Sequence, residues 1–353
     1  MNINKPYIIG ETAYNHEGDK DYLLRMIDDV AEAMVNAVKF HLLLSAESYL
    51  QKDHPLIDII KQWMFNKGQW REIIKTSTEK GLDVVALCDD VESLEFINEE
   101  FQNITAIELH ASGLNDYYLL KEAAKFKGTI ILGVGGSSID EIQYAVDFLK
   151  NYDKHQILLM YGFQSFPTNY ADINLRKMKK LKDMFDLPVG YADHTSYNDP
   201  MNEWISSSAC AMGFNVLEKH YTPDPGVERI DYHAAVGKEK LLRIRDLMEI
   251  SLKVRGDGEL SMSDPELNYG NTGPMKKAIV ARHTIQKGEK LSIENLAFKR
   301  TEGSSTIKQN MFPALIGLKT ARTIEVDEII DYSKIEYEFK KRSLKEFTNK
   351  KGD

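Results

Sequence analysis

Cysteine is scarce in this chain, with only Cys88 and Cys210 among 353 residues. Two cysteines do not make the framework of a small disulfide-stabilised protein, so the sequence fits a reducing compartment. The first residues contain no apolar core of a signal peptide, and no apolar stretch approaches the roughly 20 residues that a membrane helix needs. We therefore expect a cytoplasmic protein that does not enter a membrane.

Positive charge is also in deficit. Lysine and arginine total 45 against 54 aspartates and glutamates, which gives a net charge of −9. Proteins that bind nucleic acid usually carry a basic surface, so nucleic acid is not the expected partner, whereas a local basic pocket could still bind an anionic metabolite. Because single cores rarely exceed roughly 250–300 residues, the chain length predicts two domains.

The first 250 residues contain a regular alternation of short β-rich runs and longer stretches of helical period. Eight βα units in about 250 residues predict a (β/α)8 TIM barrel, an α/β fold. A doubly wound open sheet is the main competitor, but no G-x-G-x-x-G follows the first strand. The predicted strands are Tyr7–Ala13, Ala37–Leu42, Asp83–Leu87, Ala106–Ala111, Thr129–Val134, Gln156–Met160, Pro188–Ala192 and Val216–His220, and predicted helices include Asp21–Val35, Ser138–Leu149 and Leu241–Val254.

Composition changes after Arg255, where glycine and proline become frequent. Short strand-like runs at Ala278–Arg282 and Leu296–Arg300, with a turn at Gln286–Glu289, indicate a small second domain. We predict a barrel over residues 1–255, a turn-rich linker over 256–275, a small domain over 276–336 and a tail over 337–353, rich in lysine and arginine.

The segment from Leu43 to Gly68 is longer than an ordinary βα connection. Long loops in compact domains are usually functional or covering elements. We expect this segment to lie over one mouth of the barrel.

Two predicted strands end in histidine, His194 after the seventh and His220 at the end of the eighth. The carboxyl ends of the strands of a TIM barrel face the active site. Two neutral imidazoles with open positions suit a divalent metal that polarises a carbonyl group. The alternative is that both histidines form hydrogen bonds with carboxylates of the barrel.

Other polar residues fall at the same strand ends. Lys39 lies on an apolar strand, where burial requires an anionic partner, either a ligand or Glu11 of the first strand. Glu11 could bind a hydroxyl group or act as an acid or base. Gly135–Ser138 before a helix is either an anion-binding turn or a plain N-cap.

Taken together, these segments resemble the sialic acid synthase family, the N-acetylneuraminate synthase type of nonulosonic acid synthases. The residues from Lys276 onward resemble the antifreeze-like (SAF) domain of these enzymes, of β-clip type. The resemblance covers nearly the whole chain in the same order. The matching pieces are Ile8–Gly18, Ala37–Phe40, Ala111–Gly113, Phe166–Thr168, Asn174–Arg176, Leu187–Thr195, Leu217–His220, Ile285–Glu289 and Leu315–Gly317.

The resemblance implies a transferase that joins phosphoenolpyruvate to the open aldehyde form of an N-acylated amino sugar, with release of phosphate. It implies that His194 and His220 bind Mn²⁺, with Mg²⁺, Co²⁺ or Zn²⁺ as alternatives. It further implies a domain-swapped homodimer, in which Arg300 enters the partner's site. The other implied substrate-binding residues are Glu11, Asn15, His16, Lys39, Ser112, Asp193 and Asp231.

The chain departs from the family at a set of positions, several of which contact phosphoenolpyruvate in the family. A family lysine three residues before the strand-4 serine is replaced by Leu109, and the acidic residue after Ser-Gly by Leu114. Further departures are Leu87, Cys88, Gln164, Phe166 and Ala192. His110, Gln164 and the turn at Gly135–Ser138 are candidates to replace the lost contacts. Three hypotheses remain open: a divergent synthase, a metal-dependent aldol-type enzyme with another donor such as pyruvate, and a catalytically inactive relative.

Overall fold

The computed structural model describes residues 1–166 and 168–337. The chain divides into two compact units, residues 1–258 and the residues from Glu259 onward. Pro167 and the predicted tail after Tyr337 lie outside the described residues. Among the described helices, none is long and apolar enough to cross a membrane.

The first unit is a closed barrel of eight parallel strands that pair in sequence order. Closure is made by β1 and β8, with Glu11 opposite His220. This confirms the predicted fold class. The strands are β1 Tyr7–Glu11, β2 Ala37–Leu42, β3 Asp83–Cys88, β4 Ala106–Leu109, β5 Thr129–Gly133, β6 Ile157–Tyr161, β7 Val189–Asp193 and β8 Val216–His220.

Helices connect successive strands and cover the barrel, and their starts carry the expected caps. Asn66 and Gln69 form a capping box at α4, and Ser138 and Glu141 form one at α7. Ser138 is therefore the plain N-cap of its helix. The helices of this unit are α1 Lys20–Glu32, α2 Ala46–Tyr49, α3 Ile57–Trp63, α4 Lys67–Glu79, α5 Val91–Glu100, α6 Tyr117–Ala123, α7 Ile139–Lys150, α8 Tyr170–Ile173, α9 Arg176–Phe185, α10 Asn202–Ala211 and α11 Lys238–Arg255.

Alternation along the strands separates two apolar layers. One layer faces the helices, and the other fills the barrel interior with ten buried side chains. Because side chains of a strand point to opposite faces in turn, these ten fix the parity of every inward position. The interior set is Tyr7, Ile9, Ala37, Val85, Ala106, Ile131, Leu158, Met160, Ala192 and Val216.

The long segment after β2 folds into α2 and α3. Leu43, Ala46, Ile57 and Ile60 form a small apolar cluster of their own. Trp63, which packs against that cluster, lies with its ring 5.8 Å from Tyr14. The segment is thus a folded excursion held by its own apolar contacts.

The second unit contains the antiparallel pair β9 Ala278–Ala281 and β10 Leu296–Lys299 around its own apolar core. The turn predicted at Gln286–Glu289 is present, with Gly288 at a φ of 82° and Glu289 N–H donating to Gln286 O. The region predicted as a turn-rich linker differs, because it contains the helix α12 Asp264–Tyr269. A proline lies in the first turn of this helix, and the Glu266 carboxylate accepts a hydrogen bond from Ser263 N–H. Both are signals of a helix start, but the sequence prediction counted the proline only as a sign of turns. The short helix α13 Phe312–Leu315 completes the unit.

Candidate active site

A cavity of about 200 Å³ opens at the carboxyl ends of the barrel strands. Its walls come from inward positions and from the loops that follow the strands. The lining residues are Glu11, Lys39, His41, Glu108, His110, Ala111, Gly133, Gly135, Met160, Gly162, Phe163, Gln164, Ala192, His194, Glu218, His220 and Asp231. Charged groups therefore gather on one part of the wall and neutral groups on the rest.

His194 and His220 lie side by side on neighbouring strand ends, with ring centroids 5.0 Å apart. Burial lowers the pKa of each to about 3, so both imidazoles are neutral near neutral pH. His194 Nδ1 is buried without a hydrogen-bond partner among the described residues. A neutral imidazole nitrogen without a partner is the donor that a divalent metal requires.

The histidine pair is a partial ligand set. Within residues 1–166 and 168–337, no group of three or more His, Cys, Asp or Glu is arranged to hold a metal. A metal bound here would rest on His194 and His220, and its other positions would be filled by water and substrate oxygens. This donor set fits several divalent ions.

Lys39 lies in the same cavity, at the centre of three carboxylates. Its Nζ lies 2.8 Å from one oxygen each of Glu11, Glu108 and Glu218. Lys39 donates hydrogen bonds to Glu108 and Glu218, and its contact with Glu11 Oε2 is an ion pair. The ion pair between Lys39 and Glu11, one of the two arrangements expected from the sequence, is present, and two further partners join it.

Burial of three carboxylates around one ammonium leaves excess negative charge inside the barrel. Burial raises the pKa of Glu108 to about 8, although Lys39 opposes the change. Burial raises the pKa of Glu11 in the same way. The carboxylates in turn hold the pKa of Lys39 well above its usual value despite burial. The cluster therefore keeps its ammonium and has a tendency to retain a proton on a carboxyl group.

His41 lies nearer the mouth, two residues after Lys39 on the same inward face. Its Nε2 is 3.7 Å from Glu11 Oε1, and its Nδ1 is 3.5 Å from Asp89 Oδ2. The Tyr14 hydroxyl donates to that same Asp89 oxygen. Burial favours the neutral ring, but Asp89 and Glu11 raise the pKa of His41 to about 9. His41 is consequently a cation at neutral pH.

The wall formed by β5 and β6 is backbone. A Cβ atom at Gly135 would lie only 1.7 Å from Gly162 O, so no side chain fits between these strand ends. Met160 and Ala192 complete this neutral side. It can shape a substrate pocket, but it supplies no charge.

Asp193 was expected to bind substrate, and the structure places it behind the cavity lining. The side chain is fully buried and does not line the cavity. Its carboxylate accepts from Lys219 Nζ at 2.8 Å and from the Ser206 and Thr195 hydroxyls, which hold its pKa well below the usual range. Asp193 thus fixes the backbone that presents His194.

Asn15 and His16 also lie outside the cavity lining. Asn15 Nδ2 donates to Ile230 O at 2.8 Å, which anchors the backbone next to Asp231. His16 stacks on Phe65 with centroids 4.7 Å apart, and burial lowers its pKa to about 3. Both residues therefore lie behind the cavity lining, and their contact with substrate stays a prediction.

The remaining predicted residues also divide into those that line the cavity and those that do not. Asp231 and Gln164 line the cavity together, with Gln164 Nε2 donating to Asp231 Oδ1 at 2.5 Å. His110 lines it too, whereas Ser112 is not a lining residue and forms a hydrogen bond of 2.9 Å with His110 Nδ1. Arg300 belongs to the second unit, where it is exposed and its Nε donates to Pro274 O.

Sequence reasoning assigned no role to Glu108, Glu218 or His41. The signal was available, because each lies at an inward position of an apolar strand, as Lys39 does. A charged residue at such a position needs a partner inside the barrel. Period-2 counting from the strand ends identifies all three.

Leu109 takes the place of a family lysine in the sequence, but it does not face the cavity in the structure. Leu109 packs in the outer apolar layer, between the strands and the helices. Glu108 is the strand-4 residue that faces the cavity. The interior at this strand therefore carries a carboxylate.

Comparison with known proteins agrees with this architecture. The model of the NeuB family matches residues 26–259, and that of the SAF domain matches residues 276–336. The chain belongs to the NeuB family. The expected relationship to sialic acid synthases, and the expected enzyme of that transferase type, are thereby confirmed at the level of the family.

Several relatives span nearly the whole chain. The N,N'-diacetyllegionaminic acid synthase of Campylobacter jejuni is 28% identical over 93% of this chain and 99% of its own. The human N-acetylneuraminate-9-phosphate synthase is 24% identical over 92% of this chain and 91% of its own. The solved N-acetylneuraminic acid synthetase of Leptospira borgpetersenii, 29% identical, covers 75% of this chain and 90% of its own with a TM-score of 0.69.

Proposed function

We propose that this protein is a carbon–carbon bond-forming synthase that joins a three-carbon pyruvyl donor to the aldehyde of an N-acylated amino sugar and gives a nonulosonic-type 2-oxo acid. One observation carries the proposal. The two neutral histidines, His194 and His220, face the same small cavity as Glu11 and the Lys39 cluster.

The histidine pair is the proposed metal site, with Mn²⁺ as the first candidate ion. A metal held there supplies Lewis-acid polarisation of the sugar aldehyde. The chain's own contribution is to keep both imidazoles neutral by burial and to fix the strand-7 end through Asp193 and Lys219. Fixed ligands of this kind reduce the reorganisation needed at the reacting centre.

The sugar is proposed to lie between the histidines and the carboxylate side. Glu11 orients it from the floor of the cavity, and Asp231 with Gln164 contacts it from the rim. Hydroxyl and amide groups of an amino sugar match these acceptors and donors. The curated relatives described above are named for two different products, so the acceptor is proposed only as a class.

Phosphoenolpyruvate is the donor that membership of the NeuB family suggests, and Lys39 is a cation in the cavity that could meet it. A second candidate is an unphosphorylated donor such as pyruvate. It is favoured by the engagement of Lys39 with Glu11, Glu108 and Glu218 at 2.8 Å each.

The acting unit is proposed to be a homodimer in which Arg300 of one protomer reaches the barrel of the other. The exposed guanidinium of Arg300 in the SAF domain supports this role. Mixing an Arg300→Ala chain with a His220→Ala chain tests it. Neither chain alone forms product, whereas mixed dimers are expected to regain part of the activity, and no recovery contradicts the exchange.

The reaction is tested by incubating the full chain with Mn²⁺, one donor at a time and a panel of N-acylated hexosamines. Mass spectrometry is expected to detect a nine-carbon 2-oxo acid, and a His194→Ala chain is expected to form none. If no donor and acceptor pair yields a new carbon–carbon bond while Mn²⁺ binds normally, the proposal is wrong and a non-catalytic relative becomes the better description.

A further inference from the structure

The cavity has five basic side chains, and their charges differ. His194 and His220 are the proposed metal ligands, and an imidazole binds a metal only in its neutral form. For His110, burial and the neighbouring His41 lower the pKa to about 4, so it is neutral as well. Among the described residues of this chain that line the cavity, Lys39 and His41 are therefore the two cations available to an anionic substrate.

Lys39 is occupied by protein carboxylates. Its ammonium donates hydrogen bonds of 2.8 Å to Glu108 Oε2 and Glu218 Oε2, and it lies 2.8 Å from Glu11 Oε2 as an ion pair. The side chain of Lys39 is 2% exposed. A phosphate group that approached this ammonium would have to displace a carboxylate and would meet the negative charge of the others.

Glu108 is the member of this cluster that strand 4 contributes. In either protonation state its Oε2 accepts an N–H of Lys39. The side chain is buried and lines the cavity. Glu108 thus occupies one N–H donor of Lys39. It also places a carboxyl group where a phosphate would require positive charge.

His41 has unused capacity as a cation. Its distances of 3.7 Å to Glu11 and 3.5 Å to Asp89 exceed those of ordinary N–H···O hydrogen bonds. The ring is 17% exposed and lines the cavity. It can therefore approach one carboxylate of a ligand while its charge is maintained by the two acidic neighbours.

We propose that Glu108 is a specificity-determining residue that closes Lys39 to phosphate, and that the donor is an unphosphorylated 2-oxo acid of the pyruvate class whose single carboxylate contacts His41. This inference rests on the proposed function and names the donor class of that same site.

The chemistry balances without a further co-reactant. C3 of the 2-oxo acid loses a proton and forms the new bond to the aldehyde carbon, and the aldehyde oxygen gains a proton. No bond to phosphorus breaks. With phosphoenolpyruvate, by contrast, the same product requires one water and releases inorganic phosphate.

Titration calorimetry on the Mn²⁺-loaded full chain, without acceptor, tests the inference with pyruvate, phosphoenolpyruvate and inorganic phosphate. The wild type is expected to bind pyruvate at least about tenfold more tightly than phosphoenolpyruvate. The reason is that pyruvate brings one negative charge into the cavity, whereas phosphoenolpyruvate brings about three. Glu108→Gln removes the ionisable carboxyl group, whose pKa is about 8, but keeps an oxygen acceptor for Lys39, whereas Glu108→Ala also frees an N–H of Lys39. Affinity for phosphoenolpyruvate and phosphate is expected to increase from wild type to Gln to Ala.

Glu122→Gln, at a buried glutamate on α6 that contacts Asn98 and Lys125, is the matched control and is expected to leave all three affinities unchanged. Circular dichroism melting confirms that each variant is folded. His41→Gln is expected to weaken pyruvate binding about tenfold, with Mn²⁺ binding unchanged. Tighter binding of phosphoenolpyruvate than of pyruvate by the wild type overturns the inference, and so do unchanged phosphate affinities in both Glu108 variants. A failure to form any carbon–carbon bond would count against the proposed function alone.

Discussion

The two sides of the barrel cavity differ in the charge of their buried groups and in the partners of those groups. On the β7–β8 side, His194 and His220 are neutral and buried, and His194 Nδ1 has no hydrogen-bond partner among the described residues. On the side formed by β1, β2, β4 and Glu218 of β8, Lys39 is charged and forms ion pairs with three carboxylates.

The difference follows from the cost of burial. A buried neutral imidazole nitrogen without a partner costs about 1–3 kcal/mol, which a stable barrel can sustain. A buried ammonium or carboxylate without a partner costs several kcal/mol, so charged groups must be paired with one another. The neutral side can therefore remain without a ligand, whereas the charged groups on the other side are already ion-paired in the absence of a ligand.

The largest effect is expected from Lys39→Met. This change leaves three buried carboxylates without their cation and is expected to lower the free energy of unfolding by about 3–5 kcal/mol, measured by urea denaturation. Glu108→Gln combined with Lys39→Met is expected to recover part of that loss. If Lys39→Met is as stable as the wild type, the charged side is not a structural ion-pair cluster.

A pH series on His41→Gln is expected to give the next largest effect. The pKa of His41 is about 9 in the folded protein and 6.5 in the unfolded chain, so its charge stabilises the fold fully below pH 6.5. That contribution is lost as the pH rises through 9. The difference in the free energy of unfolding between wild type and His41→Gln is therefore expected to narrow by up to about 3 kcal/mol from pH 6.5 to 9.

Urea denaturation at fixed ionic strength measures this difference. His155→Gln, at a residue outside the cavity, is the control and is expected to give a difference that does not change over that range. A difference between wild type and His41→Gln that stays constant or widens would mean that His41 is not held as a cation.

His220→Ala tests the neutral side. Mn²⁺ affinity is expected to fall at least about 100-fold, close to 3 kcal/mol, because one of two protein ligands is lost. Stability without metal is expected to change by about 1 kcal/mol or less, since no charge loses its partner. Calorimetric metal binding with parallel urea denaturation measures both, and a large loss of stability with unchanged metal affinity would reverse the assignment.

Asp193→Asn gives the smallest expected effect. It weakens the support of the backbone that presents His194, so Mn²⁺ affinity is expected to fall about tenfold, the usual size for groups behind metal ligands. Ser206→Ala, which removes one hydrogen bond to the same carboxylate, is expected to cost less. If Asp193→Asn abolishes donor binding but leaves Mn²⁺ affinity unchanged, Asp193 contacts substrate after all.

Much of this site could be predicted from the sequence. Strands that end at His194 and His220 identified the histidine pair, and the same reasoning identified Lys39 and Glu11. The resemblance implied that Asp193 and His16 bind substrate, and in the structure neither residue lines the cavity. Local backbone direction turns Asp193 toward Lys219 and His16 toward Phe65.

The sequence by itself determined the alternation of strands and helices, the barrel and the inward parity of each strand, because these depend on local periodicity and on short-range pairing rules. Only the tertiary structure decided which inward residues meet. Barrel closure brings Glu218 of β8 and Glu108 of β4 to the same lysine of β2, across sequence separations of 179 and 69 residues. No periodic signal encodes such a meeting, since it depends on the register and closure of the whole sheet.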